Sequence, residues 1–256
     1  MRPWRRMRRQ AFGTEARQRA DAPTRQCGGS PRLAKAGPFA GLDSMAADAH
    51  EISIGCLLLR RAVGALKRDG GRDACRRGAL EPTTGSALIK AGAKLCGPNS
   101  IWVGAYSEMA QDLGSSTLPE WLRRIPARAA IVLHRWEKDY GHWICCFLQG
   151  DGRLQIFDST GRAPDELRRQ QSEADARALG QDRRRMVQAL HAGARLIPAY
   201  YNDARLQRRT SQTCGRWCIL RLALRNLSED EFTSFVGRCC RLLSCEPDTF
   251  CVAATC

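Results

Sequence analysis

An α+β fold, a small mixed β-sheet packed against helices, is what this sequence predicts, and three observations carry the prediction. Short apolar runs at residues 129–134, 143–148 and 154–157 follow one another, each bounded by Gly, Asp or charged residues, as adjacent strands are. Gly150-Asp151-Gly152 joins the last two as a hairpin turn would. Apolar residues recur at helical spacing on both sides of these runs, over 86–94, 118–124 and 214–227.

Taken in order, residues 1–44 are rich in Arg, Ala, Gly and Pro, with clusters such as Arg5-Arg6-Met7-Arg8-Arg9 and almost no apolar periodicity. They read as a disordered basic arm. Over 51–67, Ile54, Leu57, Leu58, Ala62, Val63 and Leu66 mark an amphipathic helix that stops at Gly70-Gly71. Its apolar face suits either the domain behind it or a partner. Residues 1–84 are therefore expected to form a basic N-terminal extension, and 85–256 the domain proper. Within the domain, the helix at 118–124 ends before Pro126. After Thr160-Gly161 the chain turns helical and highly charged through 165–191, then returns to a strand at 195–201. Ser228-Glu229-Asp230-Glu231 is a capping-box start for a further helix reaching about residue 243.

An apolar fraction of 43% is that of a globular protein and excludes disorder throughout. The formal charge of +15, mostly arginine, predicts attraction to polyanions such as nucleic acid through the basic arm, without specificity; a solvated tail with no ligand is the alternative. No apolar run approaches the ~18 residues of a membrane span. The Arg-rich start has no secretory h-region, so a reducing intracellular compartment is expected: nucleus, cytoplasm or virion. An organelle transit peptide, or a start at Met45, also fits the N-terminal composition. The 13 cysteines include no CxxC pair with partner histidines. No metal or cofactor is expected, and most of these thiols read as small buried hydrophobes.

A thiol becomes nucleophilic when an imidazole and a helix N-terminus stabilise its thiolate, lowering a pKa of about 8.5 in the free residue. Cys214 follows a polar loop and opens the helix Gly215-Arg216-Trp217-Cys218, at the positive end of the helix dipole. Gly215 permits close backbone approach. Thr-Cys-Gly alone also suits a buried structural cysteine. His142, in Tyr140-Gly141-His142-Trp143, stands at the entrance to the second strand, and Asp158 ends the third. Two neighbouring strands joined by a tight turn bring those ends together, where a carboxylate can orient an imidazole.

The order and spacing of Gly141-His142-Trp143, Ile156-Phe157-Asp158, Tyr201-Asn202-Asp203-Ala204-Arg205-Leu206-Gln207 and Thr213-Cys214-Gly215 resemble the adenovirus-type cysteine proteases, which share a core with the proteases of ubiquitin-like modifiers. The resemblance spans roughly 129–224. It implies a papain-like, adenain-like fold with the nucleophile Cys214 at the start of a buried helix, His142 as base, Asp158 as its orienting acid and Gln207 as an oxyanion donor. Gln212 is a rival for that last role. It also implies that Trp143, with Gly141 and Gly215, lines a narrow channel for protein or polyprotein substrates with glycine at the cut. Gln207 lies seven residues before Cys214, and Thr213 stands where modifier proteases carry aspartate, which favours a viral processing protease over a SUMO-type one. A catalytically idle nucleic-acid-binding protein is the reading from another class. Gly28-Gly29-Ser30 and Gly70-Gly71-Arg72 are candidate self-trimming sites.

Overall fold

Four residues of Leu-Gln-Ile-Phe and seven of Ala-Ala-Ile-Val-Leu-His-Arg are buried almost throughout, which is the pattern of strands covered on both faces. In the computed structural model they belong to a five-stranded mixed sheet: β1 (Trp102–Ala105), β2 (Ala129–Arg135), β3 (Gly141–Leu148), β4 (Leu154–Phe157) and β5 (Ala199–Tyr201), in that spatial order. β2, β3 and β4 are antiparallel neighbours, and β1 and β5 add parallel edges. The chain is α+β. The structure describes residues 49–125, 128–137, 140–193, 197 and 199–256. The Arg-rich arm, Gly28-Gly29-Ser30 and the first part of the strand expected at 195–201 lie outside them.

Ten helices accompany the sheet among the described residues: α1 (Ala49–Lys67), α2 (Gly71–Gly78), α3 (Gly85–Cys96), α4 (Tyr106–Leu113), α5 (Leu118–Arg124), α6 (Glu173–Ala178), α7 (Arg185–Gly193), α8 (Cys214–Ala223), α9 (Glu229–Leu243) and α10 (Pro247–Thr255). α8 is the buried one. It lies against β3 and α3, with Trp217, Cys218, Ile219 and Leu220 fully enclosed. α10 packs on α8, α9, α1 and α2, so the amphipathic helix α1 turns its apolar stripe onto the C-terminal end of this body. Phe157 meets Phe232 edge to face at 5.7 Å, joining sheet to α9, a contact worth about 1 kcal/mol beyond its burial.

Local chemistry explains several boundaries. Ser228 Oγ accepts from Glu231 N while the Glu231 carboxylate accepts from Ser228 N, which is the capping box expected at α9. Thr117 and Glu120 build another at α5. The helix expected over 214–227 stops at Ala223 instead. Buried Arg221 folds back to donate to the Leu224 and Leu227 carbonyls at 2.7 and 2.8 Å, satisfying acceptors that a continuing helix would have used itself. In the charged stretch 165–191 only α6, α7 and a short 3-10 turn (Leu167–Gln170) are helical, because Asp165 adopts a positive φ and Gly180 a left-handed one. Gly70-Gly71 is the tight turn between α1 and α2. Gly71 is buried, so cleavage there requires that turn to open.

Candidate active site

His142 and Asp158 meet because of sheet register. Cys145 pairs with Phe157, so the next step sets Ile144 opposite Asp158, and His142, two residues further along β3, falls on the same face at a diagonal. Asp158 Oδ1 accepts from His142 Nε2 at 2.8 Å, with both side chains buried. The same oxygen accepts from Thr160 N and Thr160 Oγ1 at 2.7 and 2.6 Å. Asn202 brackets the backbone of Asp158: its Oδ1 accepts from Asp158 N at 2.8 Å and its amide donates to the Asp158 carbonyl at 2.6 Å. The carboxylate therefore has its place fixed by strand, turn and loop together.

Gly141 sets where His142 emerges. A Cβ at that position would lie 2.0 Å from the His134 carbonyl, so only glycine allows β3 to approach β2 this closely at its start. His134 pairs directly with His142 across the strands, and Trp136 stacks near the His142 ring at 6.5 Å. Burial pushes His134 down to about 3, helped by the neighbouring His142, so it is neutral. The buried cation therefore belongs to His142. Burial by itself would lower that imidazole too, but the charge and hydrogen bond of Asp158, with the Cys214 thiol on the same ring, outweigh it and raise the pKa to about 10. Asp158 is held below the usual carboxylate range: burial opposes its charge, but His142 and the two Thr160 donors prevail.

Cys214 is the first residue of α8, buried at its N-terminus, where the helix dipole is positive. The turn before it is anchored twice. Gln207, itself buried, donates to the Ser211 carbonyl at 2.8 Å and accepts from Ser159 Oγ at 2.6 Å, tying the loop to the residue after Asp158. Thr213 Oγ1 donates to Asp248 Oδ1 at 2.5 Å, and the same oxygen accepts from Trp217 Nε1 at 2.9 Å. Asp248 Oδ2 accepts from Arg208 N at 3.0 Å. Sequence reading passed over Asp248, since an acidic residue in the first turn of a helix after Pro247 looks like an ordinary dipole partner.

Gln212 turns the other way. Its amide pairs with the Tyr140 hydroxyl at 2.9 Å, linking the loop before Cys214 to the turn before His142. Trp143 is nearly enclosed, donating from Nε1 to the Thr83 carbonyl at 2.9 Å. A Cβ on Gly215 would come within 3.2 Å of both Trp143 and Thr83 and 2.9 Å of Leu88, so Trp143, Gly215 and the 83–88 segment form one packed wall beside the thiol. The structure thus gathers Cys214, His142, Asp158, Gln207, Trp143, Gly141 and Gly215 around the start of α8, and leaves Gln212 at the edge.

Comparison with known proteins gives one relationship at this point. Over 131 residues, 48% of this chain and 70% of the other, the sequence is 30% identical to Uncharacterized protein V9 of Sputnik virophage. The chain belongs to the family of that virophage protein. No family model matches it. Among the described residues, no helix of this family member is long and apolar enough to cross a membrane.

The raised His142 pKa makes stability depend on pH. A group whose folded pKa exceeds the ordinary 6.5 contributes fully below pH 6.5 and loses that contribution as pH rises towards 10. Asp158, depressed in the folded state, loses its contribution at the opposite end, as pH falls through its folded value. Chemical denaturation between pH 6.5 and 10 is expected to show wild type losing on the order of 2–4 kcal/mol relative to the trend of His142→Ala. Parallel trends in the two proteins would refute the ion pair.

Proposed function

We propose that this chain is a cysteine endopeptidase of the adenovirus-protease type, with a papain-like, adenain-like core, cleaving after glycine or another small residue. The observation that carries this reading is the 2.8 Å His142–Asp158 bond on the sheet, with the Cys214 thiol facing the same imidazole from the N-terminus of a buried helix. A cysteine buried only for packing does not call for a charged imidazole beside it.

In the proposed reaction the Cys214 thiolate attacks the carbonyl carbon of the scissile bond. The oxyanion takes hydrogen bonds from the Cys214 backbone N–H and from the Gln207 side-chain amide, whose other proton serves Ser211. The His142 imidazolium gives its proton to the departing amine, leaving a thioester. Water, deprotonated by His142, then attacks that thioester and releases the acid and the free thiol. Asp158 stabilises the imidazolium and fixes which ring nitrogen faces the thiol. The close packing of Trp143, Gly215 and residues 83–88 beside the thiol supports a substrate with little side-chain bulk at the cut, such as a glycine-containing site in a protein or polyprotein. Kinship with a virophage protein supports a viral or virus-derived role in processing. The +15 charge supports a second, non-specific partnership with nucleic acid along which a protease could reach packaged substrates.

The test is covalent labelling with a glycine-ended peptide carrying a thiol-reactive warhead. Wild type is expected to be labelled at Cys214, and both Cys214→Ala and His142→Ala are expected to lose the label while staying folded by circular dichroism. Labelling that persists in His142→Ala at the wild-type rate would overturn the assignment of the base. A probe ending in a whole ubiquitin-like modifier, run alongside, separates processing from deconjugation.

A further inference from the structure

Away from that site, the C-terminus of α9 ends in an arrangement with its own chemistry. Ser244 is left-handed, at φ 47° and ψ 51°, which breaks the helix. Ser244 N donates to the Arg241 carbonyl and Cys245 N to the Cys240 carbonyl at 3.1 Å. These are the paired bonds of a Schellman motif, whose geometry also brings the side chains at its two ends into contact, usually as an apolar pair. Here both ends are cysteines, Cys240 and Cys245, so the motif sets two thiols side by side.

The surroundings differ from those of a buried apolar contact. Both thiols are partly exposed, whereas adjacent Cys239 is buried. They line an open cavity of about 320 Å³ together with Arg72, Arg76, Arg241 and Glu246. Arg72 reaches from α2 to donate to the Leu243 and Ser244 carbonyls at 3.0 and 3.2 Å, which sets its guanidinium beside the turn. The neighbouring Cys240 thiol, with the Arg72 charge, holds the Cys245 thiol below its ordinary range, although burial opposes this. The same pairing, with burial, raises Cys240. One thiol is therefore disposed to react and the other to resolve.

We propose that Cys240 and Cys245 form a redox-active dithiol that a peroxide closes to an intramolecular disulfide. The Cys245 thiolate attacks one peroxide oxygen, breaking the O–O bond to give a sulfenic acid and an alkoxide or hydroxide. Cys240 sulfur then displaces the sulfenic oxygen, which leaves as water carrying its own hydrogen and the Cys240 proton, and the S–S bond forms. Two thiols are oxidised and one peroxide is reduced. A small dithiol reverses the step by exchange. The inference does not depend on the protease reading, and its readout is chemical rather than enzymatic.

Full-length protein treated with a low dose of hydrogen peroxide, alkylated, digested and analysed by mass spectrometry tests it. The expected result is a linked peptide pair joining Cys240 to Cys245, with loss of alkylation at both and recovery after dithiothreitol. The link is expected to survive Cys239→Ser and to vanish in Cys240→Ser. Two results would overturn the proposal: both thiols still alkylated at a dose that oxidises the exposed Cys256, or a link to Cys245 that forms equally well without Cys240. Wild type alone decides the first of these, whether or not the variants fold.

Discussion

Asp158→Asn is expected to lower turnover of a glycine-containing peptide substrate by roughly 10²–10⁴-fold while leaving the fold intact. Asparagine keeps the oxygen that accepts from His142 Nε2, Thr160 N and Thr160 Oγ1, and the Asn202 bracket holds only the backbone of residue 158. What disappears is the negative charge. Without it, burial pulls the His142 pKa down from about 10, and the imidazole no longer stores the proton that the leaving amine needs. The loss is expected in kcat rather than KM, because the carboxylate faces the imidazole and not the substrate. The alkaline limb of the pH–rate profile should also move from near 10 to lower pH. An unchanged profile would show that Asp158 supports the sheet end and nothing more. Measuring melting alongside kcat separates the two.

How much of this was legible beforehand depends on how local each cause is. β2, β3 and β4 announce themselves as apolar runs with turn residues between them, and the meeting of His142 with Asp158 follows from strand alternation once a hairpin is assumed. β1 did not stand out, because Trp-Val-Gly-Ala is four residues long and its parallel partner β2 comes 27 positions later. The end of α8 was misread for a related reason: apolar spacing continues past Ala223, and only the folded-back Arg221, held over the Phe147 and Phe232 rings at 5.0 and 5.1 Å, shows why the helix stops. Gln207 was singled out by resemblance, whereas Ser159, which pins its amide, sits in what reads as a plain Asp-Ser-Thr-Gly turn. Residues that do chemistry have recognisable types. Residues that hold them in place are recognised only when distant segments are brought together.

Asp248 is the sharpest case, and replacing it by alanine is expected to have the largest combined effect of any change outside the candidate triad. Its carboxylate is buried and takes hydrogen bonds from Thr213 Oγ1, Trp217 Nε1 and Arg208 N, three donors spread across the turn that presents Cys214. Alanine leaves the indole and the backbone N–H without an acceptor in a space closed to solvent, at a cost of about 3–5 kcal/mol once the donors partly relax. Many domains of this size have little more than that to spare. Asp248→Asn retains one acceptor oxygen and sets an amide N–H₂ against a donor, so it is expected to cost less, about 1–3 kcal/mol, and to remain folded at low temperature. There the positioning role becomes visible. Thr213 is the residue before Cys214, and freeing it lets the start of α8 shift relative to His142, so warhead labelling of Cys214 should slow by at least tenfold in folded Asp248→Asn, a barrier change of about 1.4 kcal/mol. If labelling keeps its wild-type rate while the melting temperature falls, Asp248 acts on the fold alone, and the geometry of the nucleophile is carried by α8 and β3 without it.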